Sequence, residues 1–260
     1  MNKKLFITIC IISLCVIVAG CSIEKDEDKN NDLGSGDFSS LPVAIKVLVE
    51  HAEYCKEIYD GGGDQRDEVA FDVKQKDGKS IIIIRGTANA SNVESDINIA
   101  LVEDVRSGIY LHKGFRDAAL GVMEIIDTAR ERTSRGNVIS SNKPKYPLES
   151  TVYVTGHSLG GAVAQIIGIW LHKRGYSVQV FSYGSPKISS QSANGPRHWR
   201  VVRSTDPVPF TPPLPYVHRG VFINSATGDW GPENDRGILA STDVTDHAIA
   251  GYVTTLKYLE

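Results

Sequence analysis

The chain has 260 residues, 41% of them hydrophobic and 23% charged, with a formal net charge of −3. That length and balance are ordinary for a globular protein and allow one domain with a sizeable core. There is no basic excess to hold nucleic acid, no internal repeat, and no zinc-type Cys/His cluster.

The N-terminus departs from this composition. Lys3 and Lys4 precede an apolar run from Leu5 to Ala19, and Gly20 and Cys21 follow. A charged start, an apolar middle and small residues before a break predict a secretory signal over residues 1–20. The run is short of the roughly 20 residues that a membrane span needs. Its ending, Val18-Ala19-Gly20-Cys21, resembles the lipobox of bacterial lipoproteins. The resemblance implies that Cys21 becomes the lipidated first residue of a chain anchored in a bacterial cell envelope. Ser22 follows it, unlike the aspartate associated with inner-membrane retention. Cys10 and Cys15 leave with such a signal, so Cys55 alone remains and no intrachain disulfide is available. The stretch 21–39 is rich in Asp, Glu, Lys, Asn, Gly and Ser, which predicts a disordered tether. The folded domain is then 40–260.

In chain order, Ser40 reads as a helix cap with Pro42 in the first turn. Ala44, Val47, Leu48, Ala52, Cys55 and Tyr59 recur at helical spacing, which makes Cys55 a small core residue. Gly61-Gly62-Gly63 stops that helix. Val69, Phe71 and Val73 alternate as in a strand, Asp77-Gly78 signals a hairpin, and Ile81 to Ile84 reads as a strand buried on both faces. Arg85-Gly86-Thr87 ends it. Val93, Ile97 and Leu101 share the spacing of a short helix. Ala119, Val122, Met123, Ile126 and Ala129 line one face of a longer helix after His112-Lys113-Gly114-Phe115. Gly136 to Lys145 reads as a surface loop.

The chain is organised around Thr155-Gly156-His157-Ser158-Leu159-Gly160-Gly161. A β-branched run, Thr151 to Val154, leads in, and helix formers from Ala162 to Lys173 lead out. Strand, sharp turn with a serine, and helix are the pattern of a nucleophile elbow. The turn presents the Ser158 hydroxyl at the sheet's C-terminal edge and puts the Leu159 N–H at a helix N-terminus, where negative charge is stabilised. A glycine-rich turn without chemistry is the plain alternative, so partner residues must decide. Ser177 to Ser182 and Arg200-Val201-Val202 read as further strands. Pro207 to Pro215 holds five prolines and must be loop, and Asp246 reads as the cap of a last helix carrying His247. Alternation of strand and helix from residue 81 onward predicts an α/β fold with a mostly parallel sheet flanked by helices.

A serine needs a base to take its proton and an acid to hold that base, in the chain order Ser, Asp or Glu, His. His172 lies inside the helix that follows Ser158, and His198 falls in a polar loop between Pro196 and Trp199. His218 and His247 remain as candidate bases. Asp243 and Asp246 are rival acids near His247, read as helix caps.

Six pieces in order carry a family resemblance: Ile84 to Thr87; His112 to Phe115; Thr155 to Gly161; Tyr183-Gly184-Ser185-Pro186; Arg200 to Val202 with Asp206-Pro207-Val208-Pro209; and Asp246-His247 with Tyr252. Together they resemble the class 3 (fungal-type) lipases of the α/β-hydrolase superfamily. The resemblance implies a carboxylester hydrolase acting on triacylglycerol or other lipid esters, with no cofactor, no metal and no obligate protein partner. It implies Ser158 as nucleophile, Asp206 as acid, His247 rather than His218 as base, and Thr87 with Leu159 as oxyanion hole. Two departures stand out. Arg203 sits where the family often has Asn, which puts the hydrogen bonding around Asp206 in question. The lid-like stretch, Ala88 to Ala100, has no Trp, Phe or Leu, which predicts weak interfacial activation and short or medium acyl esters. Phospholipase, feruloyl-type esterase and acyltransferase chemistry use the same machinery, and a non-catalytic lipid-binding lipoprotein is the reading from another class.

Overall fold

The computed structural model describes residues 36, 38–61, 64–66, 69–86, 100–132, 138–141, 144–191, 195–232 and 244–260. Cys21, the tether, Thr87, Asp243 and most of the lid-like stretch lie outside them.

In chain order the elements are α1 (Ile45–Glu57), β1 (Asp64–Arg66), β2 (Val69–Lys76), β3 (Lys79–Ile84), β4 (Leu101–Asp104), β5 (Ile109–His112), α2 (Lys113–Asp127), β6 (Ala129–Arg132) and β7 (Val138–Ser141). Then come β8 (Thr151–His157), α3 (Leu159–Lys173), β9 (Ser177–Tyr183), β10 (Arg197–Val202), β11 (Val221–Asn224), β12 (Trp230–Pro232) and α4 (Ile249–Leu259). Eight strands form one sheet in the order β1-β2-β3-β8-β9-β10-β11-β12. The run from β3 to β11 is parallel, and β1, β2 and β12 pair antiparallel at the two ends.

Side-chain alternation along the strands builds a layer on each face. Ile82, Ile84, Val152, Val154, Val178 and Val180 point to one side, where they pack with α2 and α3. Ile81 and Ile83 face the other way, against Tyr54, Ile58 and Tyr59. Phe181, Tyr183, Trp199 and Val201 share that second face with α1 and α4. A strand stretch buried on both sides is apolar on both, which is why Ile81-Ile82-Ile83-Ile84 is a continuous run. The hairpin at Asp77-Gly78 takes positive φ at both residues, 50° and 68°, as a tight turn with that dipeptide does.

Several local expectations are corrected. Helix α1 starts at Ile45, with Ala44 at its N-cap and no capping side chain; Ser40 closes a separate 3-10 turn, Phe38–Ser40. Tyr59 lies beyond α1, in the 3-10 turn Ile58–Asp60. Leu101 is in β4, paired with β5, not on a helix. Ala129 has left α2 for β6, and the loop expected from Gly136 to Lys145 contains β7, which pairs with β6. His198 is not in a loop but buried on β10, its Nε2 2.8 Å from Ser182 Oγ. Asp246 does not cap α4: it lies with His247 in the 3-10 turn Val244–His247, and Ala248 is the N-cap. Cys55 is a free, fully buried core residue.

Candidate active site

β8 ends at His157 and α3 begins at Leu159, so Ser158 alone makes the corner. Its backbone is at φ 59°, ψ −132°, a conformation that costs an L residue of order 1–3 kcal/mol. The surroundings hold it there. Ser158 N–H donates to the Tyr183 carbonyl at 3.0 Å, and the Ser158 carbonyl accepts from Gly161 at 2.9 Å. A Cβ on Gly156 would collide with the Gly160 backbone, and one on Gly160 with the Ile84 carbonyl. The two glycines let strand, helix and the neighbouring β3 approach to backbone contact.

Three side chains from separate elements converge on this corner. Ser158 Oγ is 2.7 Å from His247 Nε2, and His247 Nδ1 is 2.8 Å from Asp206 Oδ2. Their exposures are 2% for Ser158, 2% for His247 and 0% for Asp206, so bulk water competes with none of these bonds. An Asp206 carboxylate only accepts, so Nδ1 carries the proton and the bare Nε2 accepts from the Ser158 hydroxyl. That tautomer makes His247 able to remove the serine proton.

Asp206 follows β10, and its side chain is held from three sides. Val208 N–H donates to Oδ1 at 2.9 Å, and the Tyr252 hydroxyl donates to Oδ2 at 2.5 Å, beside His247. Burial first, and then the Asp206 charge, push the Tyr252 phenol well above its ordinary pKa, so it stays a donor. Arg203 does not compete for Asp206. Its carbonyl accepts from Asp206 N–H at 3.1 Å, and its guanidinium reaches the Asp246 carbonyl at 2.9 Å and Oδ1 at 3.1 Å. The residue that departs from the resemblance thus grips the segment carrying His247.

Leu159 is the first residue of α3 and places its N–H beside Ser158. Thr87 lies outside the described residues, but Gly86 before it sits against the elbow: a Cβ there would be 2.8 Å from the His157 carbonyl and 2.9 Å from Ser158 Cβ. His218 is apart from the Ser158 cluster, with its pKa lowered well below the ordinary value by burial and then by Arg200 and Lys187. Among the described residues, no group of His, Cys, Asp and Glu is placed to hold a metal ion.

Two residues beside the site were assigned no role from sequence. His157, inside the serine motif, has its Nε2 2.7 Å from the His247 carbonyl and its Nδ1 2.8 Å from the Tyr59 hydroxyl. Tyr59 carries no motif and meets the site only through tertiary packing. His157 could have been singled out by its place next to the serine.

A parallel sheet with helices on both faces, and a serine corner at a strand's C-terminal end, define an α/β-hydrolase fold. Residues 81–216 match the family described as Lipase (class 3). The chain belongs to the class 3 lipase family. It is 31% identical over 146 residues to a secreted mono- and diacylglycerol lipase of Fusarium solani, covering 54% of this chain and 41% of that protein. It is 28% identical over 197 residues to a lipase of Rhizomucor miehei, covering 68% of this chain and 50% of that one. The chain thus spans half or less of the length of these curated relatives. In structure it is similar to a lipase from Rhizopus microsporus var. chinensis, with a TM-score of 0.57 at 18% identity, over 85% of this chain and 96% of that one.

Proposed function

We propose that this protein is a serine carboxylester hydrolase that cleaves acylglycerols or other lipid esters through an acyl-enzyme on Ser158. The observation that carries the reading is the unbroken hydrogen-bond line from Ser158 Oγ through His247 to Asp206, buried at a strained corner. His247 Nε2 takes the hydroxyl proton as Oγ bonds to the ester carbonyl carbon. The carbonyl oxygen gains the charge, and the N–H groups of Leu159 and Thr87 receive it. The tetrahedral centre collapses, the ester C–O bond breaks, and His247 returns the proton to the leaving alcohol. Water, deprotonated by the same nitrogen, then attacks the acyl carbon; the bond to Oγ breaks, His247 returns that proton to Ser158 Oγ, and the acid is released.

Substrate preference and location belong to the same proposal. The lid-like stretch, residues 88–100, offers Val93, Ile97, Ile99 and alanines in place of large apolar side chains. A lid that covers little apolar surface gains little at a lipid interface, so the enzyme favours short or medium acyl chains and shows weak interfacial activation. Residues 1–20 act as a lipoprotein signal, Cys21 is lipidated, and residues 22–39 tether the 40–260 domain to the cell envelope.

The deciding experiment is turnover of p-nitrophenyl esters of graded chain length by wild type, Ser158→Ala and His247→Ala. The reading expects wild-type turnover strongest on short or medium chains, and a loss of several decades in both variants. Near-wild-type activity of His247→Ala would remove His247 as the base. A steep rise in rate as a short-chain ester passes its solubility limit would refute the lid argument.

A further inference from the structure

His157 stands behind His247, their ring centroids 4.6 Å apart and 31° from parallel. Both of its ring nitrogens are engaged outside the Ser158–His247–Asp206 line. One end of this arrangement fixes the direction of every bond in it. The His247 carbonyl can only accept, so His157 Nε2 carries the proton and donates at 2.7 Å. A neutral imidazole then has a bare Nδ1, which accepts from the Tyr59 hydroxyl at 2.8 Å. The Tyr59 oxygen, with its proton committed, accepts in turn from the Gly86 backbone, against which it lies: a Cβ on Gly86 would be 3.0 Å from it.

We infer that Tyr59 and His157 form a positioning relay of fixed proton order, Gly86 N–H to Tyr59 to His157 to the His247 carbonyl, which ties the backbone on the oxyanion side of Ser158 to the backbone of the base. The inference rests on the reading of Ser158, His247 and Asp206 as the reacting line. Asp206 fixes only the His247 ring, through Nδ1; the relay fixes the main chain that carries the ring. Gly86 directly precedes Thr87, the proposed second oxyanion donor. The two halves of the machinery are 161 residues apart, Gly86 to His247, and the relay joins them through two side chains.

The chemistry explains a histidine at this place. His247 becomes a cation during each proton transfer, and a second cation 4.6 Å away would oppose it. Burial, and then the neighbouring His247, lower the His157 pKa to about 3, so the ring stays neutral while still donating. Burial raises the Tyr59 pKa, which keeps its hydroxyl a donor to Nδ1. A lysine or arginine could donate to the carbonyl but would bring charge, and an aliphatic residue would leave the carbonyl unpaired.

The test is Tyr59→Phe in the full chain, which keeps the ring and removes the hydroxyl, assayed on p-nitrophenyl butyrate with active sites titrated by a fluorophosphonate. The relay expects kcat per titrated site to fall about ten- to a hundredfold, the cost of a displaced catalytic group, with KM changed by less than about twofold. His157→Gln should lower kcat similarly, and the double variant should be no worse than the lower single one, because both break one line. Independently of turnover, nitrogen-15 spectra of histidine-labelled protein should show His157 neutral and protonated at Nε2, with the Nδ1 signal displaced in Tyr59→Phe. An unchanged kcat in Tyr59→Phe overturns the relay, as do strictly additive losses or an Nδ1-protonated His157. A lowered melting temperature with kcat per site intact would reduce the pair to ordinary packing and also overturn it. If wild type neither hydrolyses the ester nor reacts with the fluorophosphonate, the hydrolase reading fails, and the tautomer signal still decides the relay.

Discussion

Asp206 shows how much of a carboxylate's work here is geometric. It is fully buried, and its two oxygens accept from Val208 N–H, the Tyr252 hydroxyl and His247 Nδ1. Asp206→Asn keeps the shape but presents an NH2 group where an acceptor is needed, so His247 turns to the wrong tautomer. The rate constant for ester hydrolysis should fall by about 10⁴, as for the analogous change in another serine hydrolase. Retention of more than a tenth of wild-type turnover would show that Asp206 is not the residue holding the base. Arg203 makes a second case. Its bonds to Asp246 fix the residue just before His247, and both side chains are partly exposed, at 21% and 32%. Solvent limits such a pair to about 1 kcal/mol of stability or less. Arg203→Ala should therefore lower kcat several-fold while the melting temperature moves little, and Arg203→Lys should restore little of it, since a single ammonium cannot reach both Asp246 oxygens. An equal loss of stability and activity would assign Arg203 to the fold alone. From the sequence, Arg203 was only a departure from a pattern; its partner became evident when the chain placed Asp246 across from it.

The elbow is the element where local sequence and tertiary structure make the same demand. Gly160 packs against the Ile84 and Arg85 backbone, and Gly156 against Gly160 and Gly161. A methyl at Gly160 meets main chain on β3, which cannot swing aside as a side-chain tip can. Gly160→Ala should cost on the order of 1–3 kcal/mol by overpacking and abolish labelling of Ser158; a variant that labels at the wild-type rate would show that β3 can move away. Elements of this kind were legible because their constraints are local or strongly periodic: the strand at Ile81–Ile84, the serine turn, the helix that follows, and the Asp77-Gly78 hairpin. What escaped had weak local signals. His198 looked like loop between Pro196 and Trp199, yet β10 begins at Arg197 because pairing with β9 supplies the order that sequence did not suggest. β6 and β7 are four-residue strands that pair with each other, too short for alternation to declare. Ser40 offered a good cap that the chain leaves unused, because α1 starts at Ile45, where burial against α4 and the sheet begins. Tyr59 falls on the helical spacing that runs from Ala44, and its contact with His157 depends on the path of the chain after α1.

On the scale of the whole molecule, the buried histidines make acid a threat. His51 stacks on Phe181 with ring centroids 4.0 Å apart, between α1 and the sheet, and its Nδ1 has no hydrogen-bond partner among the described residues. Burial lowers its pKa to about 4; burial likewise lowers that of His112 to about 4, and burial followed by His247 lowers that of His157 to about 3. In the unfolded chain each returns to about 6.5. Between those limits the unfolded state binds more protons than the folded one, so stability falls as pH drops through about 6.5 and keeps falling until the folded values near 4 and 3 are reached. Above about 7 all three are neutral in both states and the penalty vanishes. The two carboxylates held below their ordinary range, Glu50 beside Lys76 and Asp117 beside Lys113 and Arg116, act in the same direction but only at lower pH, where they take up protons. Three buried groups at over 1 kcal/mol per pKa unit amount to several kcal/mol, against a typical total of about 5–15 kcal/mol. Thermal melts should therefore show the melting temperature falling steadily from pH 7 to pH 4, with uptake of more than one proton on unfolding near pH 5. His51→Phe keeps the stack on Phe181 and removes one titrating ring, so it should make the acid limb shallower by about one proton without shifting the alkaline side. A melting temperature equal at pH 7 and pH 4.5, or an acid limb unaltered by His51→Phe, would mean that the buried rings are protonated alike in both states.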